Sequence, residues 1–364
     1  MGIKLPRVES RALKYGYANS RVKAMKGLLL DSGNYDELIR VRTVDAMIEL
    51  LQRTSYKGDF LGESGARTGS QIVEIASARN FSKTVGKIAR FTPTGDVPAV
   101  NALLRKWDIL NMKTLIHAKM AGLTYKDVKP YLFNVGGLPE SDAETIMKAE
   151  GDELFNEIKK TQLGKEMLSV STAAFSKNMR DVFNNALKNM NTFVQAESVI
   201  DAYSYLFMDK GLTEAGGKEI ESIRKIMKKE IDAKNILIIE RLKKHEFSKE
   251  EIPKYLIKGG TLRMSFINKL IEAPDRQLTI SLIKSRFRRL EIKDNPRRID
   301  IEMALEKALA AEKTAAFHRS ILSVGVVLGF ILLKETEMHN LRKIAKAKEF
   351  NIPEQEVRDM LTIV

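Results

Sequence analysis

Asp108-Ile-Leu-Asn111 is an acidic–amide pair that recurs twice further along the chain, as Asp232-Ala-Lys-Asn235 and as Glu337-Met-His-Asn340. Each copy lies within a matching stretch of about thirty residues, and one ungapped frame relates all three. The second copy follows the first by 124 residues, and the third follows the first by 229. Repeated units usually build scaffolds rather than active sites.

Identical residues establish this frame. A shift of 124 superimposes Asp108, Asn111, Lys119, Tyr131, Leu132, Gly136 and Leu138 on Asp232, Asn235, Lys243, Tyr255, Leu256, Gly260 and Leu262. A shift of 229 superimposes Asn111, Ala118, Lys119, Val128 and Leu132 on Asn340, Ala347, Lys348, Val357 and Leu361. The sequence therefore predicts three copies of one helical unit.

Each copy also carries signals for the end of one helix and the start of another. The helix through the acidic–amide pair is expected to stop near Gly122, Glu246 or Asn351. A second, short helix should then begin. Its start signals are Thr124-x-x-Asp127 and Ser248-x-x-Glu251, which are typical of capping boxes, and Pro353, which suits a first helical turn.

Composition favours long helices and three domains. The 364 residues are 44% hydrophobic and 30% charged, with only nine prolines, so uninterrupted helices are easy to place. We predict an all-α protein with three similar helical domains at residues 1–138, 139–261 and 262–364. Such units could form an open solenoid or close around a pseudo-threefold axis.

Two bulk properties limit the class of protein. The chain has no cysteine, which excludes disulfides and thiolate metal sites. The longest apolar run, residues 321–333, is shorter than the roughly 20 residues needed to cross a bilayer. We expect a buried helix there, in which Gly325 and Gly329, four apart on one face, allow another helix to approach closely. The start of the sequence shows no hydrophobic signal segment.

The net charge of +14 suggests an anionic partner. Lys and Arg are scattered among acidic residues, so the ordinary interpretation of each basic cluster is a solvated helix face. The segment Arg286-Phe287-Arg288-Arg289 motivates the alternative function, a basic α-helical scaffold that binds nucleic acid. The dispersed charge and the single tryptophan argue against that alternative.

A search for catalytic motifs finds no convincing one. The four histidines lack metal-ligand spacing, and Gly211 to Glu219 fails the phosphate-loop pattern because Gly217 stands where lysine is required. The acidic–amide pair places a carboxylate and an amide on one helix face, which suits acid–base chemistry or cation binding. Triplication favours a structural role instead, in which these groups cap backbone atoms or pair with neighbouring units. We predict no cofactor, no metal and no catalytic residue.

The third copy, Lys334-Glu335-Thr-Glu337-Met-His-Asn340, closely resembles the C-terminal signature of the C subunits of archaeal A-type ATP synthases. That family includes the C subunit of bacterial V-type ATPases and the d subunit of vacuolar ATPases. Tyr17-Ala-x-x-Arg21-Val-Lys-Ala and Leu50-Leu51-x-x-Thr54-x-Tyr56 also look like family features. The resemblance covers the whole chain in length, motif order and threefold repetition.

The resemblance implies a funnel-like, peripheral protein on the cytoplasmic face of the membrane. Such a protein couples the central shaft, made of the D and F subunits, to the membrane proteolipid ring during ATP-linked proton or sodium transport, without an active site, a cofactor or nucleic acid. The motifs do not separate shaft contacts from ring contacts. The candidate interface or cavity-lining residues are Arg105, Asp108, Asn111, Lys113, Asp232, Asn235, Lys334, Glu335, Glu337, Asn340 and Arg342.

Overall fold

The computed structural model describes residues 7–60, 67–135, 137–150, 153–170, 190–287, 290, 292, 296–319 and 321–363. Within these ranges every regular element is a helix, which confirms the all-α prediction. Gly136 of the repeat alignment and Arg288 and Arg289 of the basic segment lie outside the described residues.

The helices follow one another in the order α1 Arg7–Lys26, α2 Ser32–Arg40, α3 Val44–Leu51, α4 Gly69–Phe91, α5 Val97–Met120, α6 Tyr125–Val128, α7 Glu140–Lys148, α8 Leu154–Lys160, α9 Gln162–Val170, α10 Met190–Ala215, α11 Lys218–Lys244, α12 Met264–Glu272, α13 Arg276–Arg286, α14 Arg298–Arg319, α15 Val324–Glu349 and α16 Glu354–Met360. Short 3₁₀ turns lie at Lys57–Asp59, Thr94–Asp96, Lys129–Tyr131 and Ile252–Tyr255. The three copies of the acidic–amide pair lie on α5, α11 and α15, which we call the repeat helices.

All three repeat helices end in the same way. Gly122, Glu246 and Asn351 occupy one repeat position and have positive φ angles of 69°, 59° and 53°. The next backbone N–H in each copy donates to a carbonyl five residues earlier, over 2.9 Å for Leu123 and 3.1 Å for Phe247. This left-handed ending satisfies carbonyls that the helix leaves unpaired. The predicted stops are confirmed.

The capping box predicted at Thr124 is confirmed, but Ser248 and Glu251 precede a 3₁₀ turn at Ile252–Tyr255 instead of an α-helix, and the third start signal is also corrected. The backbone N–H of Thr124 donates to Asp127 over 2.9 Å, and that of Ser248 donates to Glu251 over 3.0 Å. Pro353 lies immediately before α16, at the N-cap position rather than in the first turn. Proline has no backbone N–H, so this copy needs no acidic side chain to satisfy one.

The units pack in a closed cycle. The long helix of the second unit, α10, packs on the repeat helix α5 of the first, and α14 packs on α11 in the same relation. The helix α4 of the first unit packs on α15, the repeat helix of the third. The chain ends are therefore joined through one apolar cluster, in which Met47 and Leu51 contact residues that include Leu341 and Ile344.

Two further details concern glycines. The glycines between Asp209 and Gly217 predict a turn in the sequence. That prediction is wrong, because α10 continues to Ala215 and the helix is broken only at Gly216 and Gly217, with φ angles of 62° and 99°. Gly211 lies inside α10 against Ala102, where a Cβ would collide. Close helix packing thus overrides the local turn signal.

The apolar run lies in a buried helix, as predicted. α15 begins at Val324, and a Cβ at Gly329 would lie 2.9 Å from the Cα of Phe317 in α14, so the expected close helix approach is confirmed. Ile321, at the start of the run, lies outside the helix and is exposed. Among the described residues, no helix has the length and apolar character that a membrane span requires.

Candidate functional site

The asparagine of each copy pairs with one backbone peptide group. The side-chain amide of Asn111 donates to the carbonyl of Phe133 over 2.7 Å and accepts from the N–H of Phe133 over 2.8 Å. Asn235 forms the same pair with Ile257 over 2.9 and 2.8 Å, and Asn340 with Thr362 over 2.7 and 3.1 Å. All three asparagines are buried. The side-chain amide therefore acts as the hydrogen-bond partner that another backbone peptide group would otherwise provide. It fixes the segment that follows the repeat helix.

The acidic residues of the first two copies accept backbone N–H groups at the boundary between their own unit and the next. Asp108 accepts from Gly137 over 3.1 Å, and Asp232 accepts from Thr261 and Leu262 over 2.8 and 3.0 Å. Burial raises the pKa of Asp108 above its usual value, although Arg105 and the Gly137 N–H oppose this rise. These carboxylates fix the chain at the boundaries between consecutive units.

The third acidic residue reaches the beginning of the chain. Glu337 accepts from the N–H of Leu30 over 2.5 Å, from the hydroxyl of Tyr56 over 2.7 Å and from the ammonium of Lys334 over 2.5 Å. Leu30 precedes α2 by the same interval as Leu138 precedes α7 and Leu262 precedes α12. The third unit is thus joined to the first by the same type of contact that joins the others.

The repeated lysine completes each junction, a role that sequence reasoning did not assign. Lys119 donates to the carbonyl of Met147 over 2.7 Å, at the end of α7. Lys243 donates to Ala273 over 2.8 Å after α12, and Lys348 donates to Ile39 over 3.0 Å at the end of α2. A cation at a helix C-terminus is favourable because unpaired carbonyls point toward it. We call the acid, asparagine and lysine of one copy a repeat junction.

Replacing Asn235 with alanine is expected to lower the free energy of unfolding by about 2–6 kcal/mol, because two buried backbone groups of Ile257 lose their partner at about 1–3 kcal/mol each. Urea denaturation measures the change. Asn268→Ala on the exposed face of α12 is the matched control, expected to change stability by less than about 0.5 kcal/mol. Equal stabilities of the two variants would contradict a structural role for the amide.

A second set of equivalent residues meets between the repeat helices. Lys106, Glu230 and Glu335 share one repeat position, two residues before the acid of each copy. The ammonium of Lys106 lies 2.6 Å from Glu335 and 3.5 Å from Glu230. Lys313 of α14 adds a second cation, 2.9 Å from Glu230 and 3.3 Å from Glu335. We call these four residues the central charged cluster.

The charges in this cluster balance. Burial opposes ionisation of Glu335, but Lys106 and Lys313 hold its pKa well below the usual value, and the pKa of Glu230 is lowered for the same reason. Burial likewise opposes the charge on Lys313, whose pKa Glu230 and Glu335 nevertheless raise. Two basic and two acidic side chains therefore meet between the repeat helices and join elements of all three units.

A second charged group lies further along the repeat helices. Glu197 and Asp201 of α10 lie between α5 and α11, where Lys113 is 3.2 Å from Asp201 and Arg241 is 2.7 Å from Glu197. Burial opposes ionisation of Glu197, but His117, Lys113 and Arg241 lower its pKa to about 2. These ion pairs connect the first two repeat helices through α10.

The predicted site residues therefore fall into three groups. Asp108, Asn111, Asp232, Asn235, Glu337 and Asn340 form the repeat junctions, with Arg105 and Lys334 paired to Asp108 and Glu337. Glu335 belongs to the central charged cluster. Lys113 and Arg342 lie half-buried, Lys113 beside α10 and Arg342 beside Glu74 of α4. Lys106, Glu230 and Lys313 were not predicted from the sequence. One signal was available: Glu230 and Glu335 are both glutamate at the same repeat position, which indicates a shared role.

The chemistry of these groups is that of a framework. Their carboxylates face ammonium, guanidinium or backbone N–H donors, and the part of the chain that the structure describes holds no group of side chains suited to bind a metal ion. A cleft of about 900 Å³ runs along α14, lined by residues that include Met303, Leu309, Phe287 and Arg286. Fold and site together define a helical repeat scaffold whose polar residues join its units.

The sequence profile described as ATP synthase (C/AC39) subunit matches residues 18–360, and the chain belongs to this family. Its relatives include the C subunit of the A-type ATP synthase of Methanococcoides burtonii, 24% identical, with 96% of this chain and 94% of the relative covered. The same protein of Methanosarcina mazei is 26% identical, with 96% and 93% covered. That of Thermococcus onnurineus is 25% identical, with 99% and 93% covered.

Proposed function

We propose that this chain is a non-catalytic central-stalk subunit of a rotary A/V-type ATP synthase or ATPase. It couples the central shaft, made of the D and F subunits, to the membrane proteolipid ring during ATP-linked proton or sodium transport. The observation that carries the proposal is the set of three equivalent repeat junctions, which connect the units in a closed cycle. The relatives, which are C subunits of A-type ATP synthases, support the assignment to this machine.

A torque coupler must transmit force with little deformation, and a closed cycle suits that task. Each unit is held on two sides, by its own repeat junction and by that of the unit before it, so no unit can swing freely. Densely packed helices resist compression because protein interiors contain few voids. In this proposal the units 1–138, 139–261 and 262–364 surround a pseudo-threefold axis in a funnel-like body.

Three of the candidate interface residues are not fully buried, although each already forms an ion pair within the chain. Arg105, Lys113 and Arg342 are half-buried, whereas Asp108, Asn111 and the other candidates are buried. We propose that the half-buried basic residues line the surface that receives an acidic part of the shaft or ring. The buried candidates act indirectly, by holding the units in register. The protein then functions as a peripheral subunit on the cytoplasmic face of the membrane.

A pull-down of the tagged chain from solubilised membranes tests the proposal. Mass spectrometry should identify shaft subunits and the proteolipid among the co-purifying proteins, and the isolated chain should not hydrolyse ATP. Recovery of nucleic acid in place of these subunits, with loss of the nucleic acid as salt is raised, would instead support the basic-scaffold alternative. The structure gives that alternative no further support.

A further inference from the structure

The N-terminal helix α1 lies across the beginnings of the three repeat helices. Its contacts are Lys14 with Asp96 at the start of α5 over 3.0 Å, Arg11 with Glu219 in the first turn of α11 over 3.2 Å, and Asn19 with Ser323 at the start of α15. In the amide orientation that satisfies its hydrogen bonds, Asn19 donates to the Ser323 carbonyl over 3.2 Å and accepts from its N–H over 2.9 Å. One face of α1 is therefore held against all three units, and the other face forms the end surface of the molecule.

Several large apolar side chains are exposed on α1 and beside it. Leu13 is 75% exposed and Tyr17, one turn further along, is 66% exposed. Leu28, in the turn after α1, is 62% exposed, and Ile321, two residues before Ser323, is 68% exposed. Single exposed apolar residues are ordinary, but several at one end of a molecule indicate a binding surface.

Positive charge surrounds these apolar residues. From Ser10 to Lys26 the helix contains five Lys and Arg residues and no acidic residue. The guanidinium of Arg21 lies 5.6 Å from the ring of Tyr17 and 5.4 Å from that of Phe91, at the end of α4. Lys23 of α1 and Lys87 of α4 are exposed. The end surface therefore combines apolar side chains with the positive charges of Arg21, Lys23 and Lys87, whereas Arg11 and Lys14 are paired with Glu219 and Asp96.

We infer that the end surface formed by Leu13, Tyr17, Leu28 and Ile321 docks on the anionic surface of a lipid bilayer. A surface helix with Lys and Arg beside Leu and Tyr lies in the headgroup layer, where apolar burial and attraction to anionic lipids act together. Leu13 and Tyr17 stand one turn apart on α1, with Leu28 in the turn that follows it and Ile321 just before α15. The inference rests on the proposed function, which brings the protein close to a membrane, and it identifies the end that faces the bilayer.

Vesicle flotation with the isolated full chain tests this inference without any partner protein. The chain should float with phosphatidylcholine vesicles that contain about 30% phosphatidylglycerol and not with pure phosphatidylcholine vesicles, because anionic lipid supplies the electrostatic part of binding. A variant with Arg21→Gln, Lys23→Gln and Lys87→Gln should bind at least about tenfold more weakly. A variant with Leu13→Ser, Tyr17→Ser and Leu28→Ser should also lose binding, with its helical circular dichroism unchanged.

The matched control also removes three positive charges, but near the C-terminal ends of the repeat helices α5 and α11, away from the end surface. Lys126→Gln, Lys244→Gln and Lys249→Gln replace exposed lysines there, and this variant should bind vesicles as the original chain does. Equal losses in the two charge variants would overturn the inference, because net charge alone would then explain binding. Binding to the purified proteolipid ring but not to anionic vesicles would also overturn it, in favour of a protein partner. Neither result alters the outcome expected from the pull-down, which tests the proposed function separately.

Discussion

Replacing Lys313 with methionine is expected to lower the free energy of unfolding by about 3–5 kcal/mol, because the central charged cluster then holds two buried carboxylates and one cation. Methionine keeps the length of the side chain, so the loss reports mainly the missing charge. Denaturant unfolding at about pH 7 measures it, with the carboxylates ionised. The same change at Lys307, exposed on the same helix, should alter stability by less than about 0.5 kcal/mol.

The pH dependence of this variant provides a second test. In the original chain the pKa values of Glu230 and Glu335 are lowered, so the stability they contribute is present above the unfolded pKa and is lost as pH falls through the folded values. In Lys313→Met one buried carboxylate has lost its cation, so protonating that carboxylate stabilises the folded variant. The difference between the two proteins should therefore shrink from about pH 7 to about pH 4. A constant difference would show that packing, not charge, causes the loss.

The second large effect is expected at the junction that joins the chain ends. Glu337→Gln should destabilise the protein by about 3–5 kcal/mol, because Lys334 remains buried without its carboxylate. Amide hydrogen exchange should also accelerate in α2 and at Leu30, whose N–H loses a charged acceptor. Combining Glu337→Gln with Lys334→Met should recover part of the loss, since the unpaired cation is then absent.

Asp232→Asn is the matched comparison in an equivalent position. Asp232 accepts from the N–H groups of Thr261 and Leu262, and among the described residues no Lys or Arg forms an ion pair with it. Its loss should cost only about 1–3 kcal/mol, the range for an unsatisfied buried group. Equal losses at the two positions would contradict a special role for the Lys334–Glu337 pair.

The sequence was most informative where structure depends on near neighbours. The ends of the repeat helices at Gly122, Glu246 and Asn351 involve hydrogen bonds that reach back five residues, and the capping box at Thr124 spans three. Such contacts form within one short stretch, so residue types and spacing predict them. The expected turn from Asp209 to Gly217 was wrong because the packing of Gly211 on Ala102 lies outside that local information.

By itself, the sequence determined the all-α class, the threefold repetition and the positions of the junction residues, since repeat spacing and helix end signals are properties of the linear chain. Only the tertiary structure decided the partners. Glu337 finds Leu30 across 307 residues, and Lys106 meets Glu230 and Glu335 from three different helices. Their charges are compensated only when the repeat helices converge, because the partners belong to different units of the chain.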